Sequence, residues 1–111
     1  MWNDKQPIYQ QLKEKIIAGI LEGLFAEGAA IPSIRQVAEQ YQLNPLTVSK
    51  AYQMLVDDAV IEKHRGLGMF VKTDARVQLL GVEKKRFMEE DWPKVRERIK
   101  QLGLAVEDLP R

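Results

Sequence analysis

"IPSIRQVAEQYQLNPLTVSKAYQMLVDDAVIEKHRGLGMFV", residues 31–71, holds the reading that decides the fold. Ser33 and Gln36 stand as an S-x-x-Q capping box, which announces a helix directly after Pro32. Ile34, Val37, Ala38 and Tyr41 follow at i, i+3, i+4 and i+7, with Arg35, Gln36, Glu39 and Gln40 on the opposite side. After a turn of only a few residues, Asn44 is placed to cap another helix whose first position is Pro45. Leu43 and Val48 occupy the N′ and N4 positions of a hydrophobic staple. At 100° per residue, Val48, Ala51, Tyr52 and Leu55 face inward, and Leu46, Thr47, Lys50, Gln53 and Met54 face away, with Ser49 on the flank. Two short helices joined so tightly predict a helix-turn-helix. "VIEKH" (60–64) and "MFVKT" (69–73) read as paired strands around "RGLG" (65–68), whose glycines give the turn its backbone freedom.

Working outward, Pro7 to about Phe25 reads as a further helix. Ile8, Leu12, Ile16 and Ile20 form its stripe, widened by Tyr9, Ile17, Leu21 and Leu24. Gly19 and Gly23 lower its intrinsic propensity, so packing must hold it. Beyond Thr73 the pattern turns helical again. Met88, Trp92, Val95, Ile99 and Leu102 are spaced 4, 3, 4, 3, a heptad-like seam. Pro93 falls inside it and predicts either a kink or a fresh helix capped by Asp91. Gly103 is placed to end that helix, and "LAVEDLP" to add a short last turn. The expected fold class is mainly α with a small β-hairpin: a winged helix-turn-helix over residues 1–74, then a C-terminal α-helical dimerisation segment over 75–111.

A chain of 111 residues has room for one small domain and an appendage. Cysteine is absent, which excludes disulfides and thiolate metal sites. No apolar run approaches the ~20 residues of a membrane span, and "MWNDKQPIYQ" lacks the basic-then-apolar order of a signal peptide, so a cytoplasmic address is expected. The net charge of +1 does not by itself indicate a polyanionic partner. Up to Asp74 there are 8 Lys+Arg against 9 Asp+Glu, so a nucleic-acid reading must rest on where the cations sit.

Their placement suits DNA, although a polar exposed helix face and a three-residue basic cluster are more usually just solvated. A recognition helix reads the major groove with its N-terminal half. Thr47 and Ser49 are small enough there for close approach and bond to phosphates; Lys50 reaches a phosphate or a guanine edge, and Leu46 a thymine methyl. Asp57 and Asp58 stand at the far end, where they repel DNA least. Arg35 begins the preceding helix, placed for a bidentate contact in the same groove. Arg65, Gly66, Leu67 and Gly68 make a tip thin enough for a minor groove. The candidate DNA-contacting set is Ser33, Arg35, Asn44, Leu46, Thr47, Ser49, Lys50, His64, Arg65 and Gly66. His64 is the sole histidine, "GLG" lacks the strand-then-helix setting of a phosphate loop, and neither a nucleophile–base pair nor a carboxylate dyad is legible. An enzyme, a metal site and a cofactor are therefore not expected. Phe87, Met88, Trp92, Val95, Ile99 and Leu102 are read as a dimer interface, because one extra helix cannot bury its own apolar side. Two rival readings are a winged helix that docks an acidic protein through "KHRG", and a regulator with a small-molecule cleft between C-terminal helices.

Taken together, P-S-x-R at 32–35, "NPLTVSKAY" at 44–52 and R-G-x-G-x-F-V at 65–71 resemble the DNA-binding domain of the GntR family of bacterial transcription regulators. The likeness covers Pro7 to Lys72, and "RERIKQLGLAVEDL" is similar to the tail of the YtrA-like subgroup. That resemblance implies a homodimeric regulator, usually a repressor, on a palindromic operator. By position it carries DNA contact onto Arg35, Thr47, Ser49, Lys50 and His64 to Gly66. "FAEGAAIP" stands where an acidic turn is common in the family, and Leu67 where a basic residue often stands. The 37 residues after Asp74 are too few to enclose a metabolite in the usual way, and any effector is unknown.

Overall fold

Pro7 lies just outside the first helix as its N-cap, and α1 runs over Ile8–Glu22. A computed structural model describes residues 2–111. The helix is shorter than expected at both ends, since Pro7 is extended at ψ 146° and Gly23 closes the other end in the left-handed conformation at φ 86°. Leu24, expected on the apolar stripe, therefore leaves the helix and is 74% exposed. Phe25 folds back, its N–H donating to the Gly19 carbonyl at 3.1 Å. A Cβ on Gly19 would lie 2.6 Å from the Phe25 ring. Glycine at 19 thus gives up helix propensity for a close ring–backbone contact.

The loop after α1 takes part in the sheet, which the sequence reading did not foresee. Ala30 bridges Phe70, Ile31 N–H donates to the Met69 carbonyl at 2.9 Å, Gly28 N–H donates to the Val71 carbonyl at 2.8 Å, and Val71 N–H donates to the Ala29 carbonyl at 2.9 Å. Next come α2 (Ile34–Tyr41) and α3 (Pro45–Asp57). The predicted capping box is present: Ser33 Oγ accepts from Gln36 N–H at 3.1 Å, and Gln36 Oε1 accepts from Ser33 N–H at 2.8 Å. Asn44 caps α3 by accepting from Leu46 N–H at 2.9 Å, with Pro45 at N1.

The core lies between α1, α3 and the hairpin. Val48, Ala51, Tyr52 and Leu55 are buried, as the periodicity requires, against Leu12, Ile16 and Ile20 of α1 and Ile61 and Val71 of the strands. The Tyr52 hydroxyl donates to the Pro32 carbonyl at 2.6 Å, and burial pushes its phenol up to about 12. Lys13 Nζ meets Asp58 Oδ2 at 2.8 Å, pinning α1 to the end of α3.

β1 (Ile61–His64) and β2 (Gly68–Val71) pair antiparallel, with Ile61 opposite Val71 and His64 opposite Gly68. The strands are displaced from the expected spans: Gly68 joins the ladder instead of the turn, while Val60, Lys72 and Thr73 stand outside it. Lys72 N–H still donates to the Val60 carbonyl at 3.0 Å.

The chain divides into two units, one ending at Leu79 and one spanning Leu80–Arg111. The boundary falls within α4 (Ala75–Arg86), whose Ala75 and Leu79 are buried in the first unit. In the second unit α4 continues into a π-helical turn, Phe87–Asp91, and then α5 (Trp92–Gln101). Trp92 N–H bonds to the Phe87 carbonyl, five residues back. Asp91 is helical (φ −83°, ψ −47°) and caps nothing with its side chain. The Pro93 problem is thus solved by widening one turn of a continuing helix rather than by a new cap, one of the devices by which helices admit an irregularity. Gly103 at φ 66° follows α5, and Val106–Asp108 forms a short 3₁₀ turn, as the tail pattern suggested. Among the described residues no helix is long and apolar enough to cross a membrane.

Candidate nucleic-acid interface

The capping residues leave their donors free. Ser33 and Asn44 each spend an acceptor on the backbone of the helix they begin. What remains is a hydroxyl hydrogen on Ser33 and an amide NH₂ on Asn44, both on exposed residues. Phosphate oxygens accept from such groups, so each cap can both start a helix and meet a nucleic-acid backbone.

Arg35, in the first turn of α2, is brought beside the front of α3. Ile34, Arg35, Ala38, Glu39, Leu43 and Pro45 line one depression of about 450 Å³. Arg35 Nε lies 3.3 Å from Glu39 Oε1, and the two side chains are 88% and 70% exposed. On α3, Leu46 is 76% exposed, Ser49 and Lys50 are exposed, and Thr47 is half-buried. No acidic residue stands in its first turn. The acidic pair at its far end is occupied, with Asp58 bound to Lys13 and Asp57 accepting from Gln53 Nε2 at 2.9 Å.

Lys50 does not project freely from the helix. Its Nζ lies over the ring of Tyr9, at the start of α1, 4.0 Å from the centroid. Periodicity placed Lys50 on the outward face but could not show this partner, which belongs to another helix.

At the hairpin tip, Leu67 N–H donates to the His64 carbonyl at 2.8 Å. Gly66 takes φ 78° at the third position of that turn, the position that type II turns reserve for a residue without a Cβ. Arg65 and Leu67 are exposed beside it. His64 is only partly available: its ring stacks on Phe70 (centroids 4.1 Å, 15° between planes), and Nε2 lies 3.0 Å from Glu62 Oε1. It supports the base of the tip, while Arg65 and Gly66 form the tip itself.

The second unit has a different character. Phe87, Met88, Val95 and Leu102 are exposed, Trp92 and Ile99 are half-buried, and no described residue from Leu80 onward is fully buried. The described residues hold no cluster of side chains suited to a metal ion.

A helix pair with an exposed front, backed by α1 and flanked by a glycine-tipped hairpin, defines a winged helix-turn-helix. The chain belongs to the GntR family of bacterial regulatory proteins, whose pattern matches residues 8–71. It is 36% identical over 96 residues to the HTH-type transcriptional repressor YtrA of Bacillus subtilis (strain 168), covering 86% of this chain and 68% of that protein. Among solved structures it is similar to a GntR family transcriptional regulator from Listeria monocytogenes, with a TM-score of 0.78 and 28% identity over 96% of this chain and 91% of that one. It is also similar to AraR(DBD) in complex with operator ORR3, with a TM-score of 0.59 and 28% identity over 64% of this chain and 86% of that one. The relatives are transcription regulators and not enzymes.

Proposed function

We propose that this protein is a cytoplasmic repressor of transcription that binds a palindromic double-stranded operator as a homodimer. The observation that carries the reading is the polarity of α3. Its front presents Leu46, Ser49 and Lys50 with no acid, next to Arg35, while both acids at its rear are held by other side chains. A helix built in this way meets a duplex front first. YtrA is named a repressor and the AraR complex contains an operator, and both likenesses support the same role here.

In this reading residues 1–74 form the DNA-binding part. Arg35, Leu46, Thr47 and Ser49 face the major groove, Ser33 and Asn44 donate to the backbone, and Arg65 and Gly66 approach the minor groove with His64 behind them. Residues 75–111 dimerise. Phe87, Met88, Trp92, Val95, Ile99 and Leu102 are apolar, and among the described residues from Leu80 onward none is fully buried, so a second copy supplies the cover. Two-fold symmetry in the protein then requires inverted half-sites in the DNA.

A salt series on duplex DNA tests the reading. Each phosphate neutralised contributes about −0.9 to the slope of log K against log salt, so several contacts give a steep decline. Failure to retain any duplex at low salt contradicts the proposal and favours a winged helix that docks protein.

A further inference from the structure

We infer that Tyr9 is a positioning residue that makes Lys50 a phosphate anchor instead of a reader of bases. This rests on the DNA-binding reading above and assigns, within it, which polyanion group Lys50 meets.

The geometry is a cation held by a neutral ring. Lys50 Nζ is 4.0 Å from the Tyr9 centroid, well inside the ~6 Å within which a ring face attracts an ammonium. Lys13 and Arg35 of this unit have carboxylate partners, Asp58 and Glu39, while Lys15 lies over the Trp2 ring at the longer distance of 5.9 Å. Among the described residues no carboxylate bridges Lys50. The difference matters chemically. A carboxylate neutralises its partner and must be displaced before an anion can bind, whereas a ring fixes the ammonium and leaves its charge intact. The N–H groups directed away from the ring remain available to an oxygen.

The pin also sets where that charge lies. Lys50 belongs to α3, but its terminus is drawn onto the first turn of α1, away from the axis of the helix that enters the groove. A lysine held to that side meets the sugar–phosphate rim. Base edges are left to the unpinned side chains of α3 and to Arg35, whose solvated ion pair opens readily.

Four variants test this: Lys50→Met, Tyr9→Phe, Tyr9→Leu and the double Tyr9→Leu/Lys50→Met, each checked for a wild-type melting curve. Lys50→Met should weaken binding to operator and to base-substituted operators by the same factor, and make the salt slope shallower by about 0.9. Tyr9→Phe keeps the ring and should bind as wild type. Tyr9→Leu should lose about two- to fivefold, the range expected for a cation–π contact at an exposed site, and should cost nothing further in the Lys50→Met background. In the free protein, the Lys50 ε-methylene proton resonances should lie upfield under the ring current and move to ordinary lysine positions in Tyr9→Leu. A Lys50→Met variant that relaxes preference at one base pair with an unchanged salt slope overturns the inference alone. So does an additive Tyr9→Leu effect in the double variant, or an absent ring-current shift. A wild-type protein that retains no duplex overturns the DNA-binding reading itself, and this assignment with it.

Discussion

Arg35 carries an ion pair to Glu39 in which both side chains are mostly in water. Such pairs are worth roughly 0–1 kcal/mol, so the guanidinium leaves for a better acceptor at small cost. If it forms a bidentate contact with a base, Arg35→Ala should weaken specific binding by ~1–3 kcal/mol. Its thermal stability should stay near wild type, and competition titrations with operator and scrambled duplex measure both numbers. Tyr52 shows the opposite balance, a polar atom wholly inside. Its neutral phenol is stabilised by burial, with the pKa raised from 10.0 to about 12. The contribution to stability is therefore complete below pH 10 and is lost as pH rises from 10 toward 12, a span of roughly 3 kcal/mol. Tyr52→Phe should cost about 1 kcal/mol at neutral pH through the lost bond to Pro32. It should also flatten the alkaline decline, which denaturant titrations at pH 8 and 11 would reveal.

At the scale of elements, the hairpin makes the sharpest demand on sequence. Gly66 holds φ 78° with no heavy atom near where a Cβ would sit, so the constraint there is backbone conformation and not space. Gly66→Asp adds conformational strain and a negative charge at the tip. It should lower affinity for duplex while leaving the core intact, and a gel-shift titration equal to wild type would remove the hairpin from the interface. What was legible in the chain follows the same division between local and distant causes. The capping box at Ser33, the Asn44–Pro45 start and the buried face of α3 depend on residues within a turn or two of each other, and all three stand as read. The bridge of Ala30 to Phe70 pairs a loop with a strand through backbone groups, which no side-chain pattern records. Pro93 signalled an irregularity without choosing among its solutions, because kink, cap and widened turn all accommodate a missing N–H. On the site side, the outward position of Lys50 was readable from periodicity, but its ring partner lies on another helix.

For the whole molecule, the two units obey different economies. Up to Leu79, Leu12, Ile20, Tyr52, Leu55, Ile61 and Val71 close a core around themselves. From Leu80 onward the apolar side chains lie at the surface or only half inside it. If a second copy covers them, apparent stability should rise with protein concentration, because association is linked to folding. Ile99→Glu should convert the dimer to monomer in sedimentation equilibrium and weaken operator binding by more than any single contact residue, since it uncouples two half-sites at once. A monomer in the wild-type protein at micromolar concentration would contradict the assignment of residues 75–111. The most direct measurement is selection of bound duplexes from a random pool by the full-length protein. Enrichment of one short motif in two inverted copies at a fixed separation is the expected result. An unenriched pool, or a single motif with no inverted partner, would contradict it.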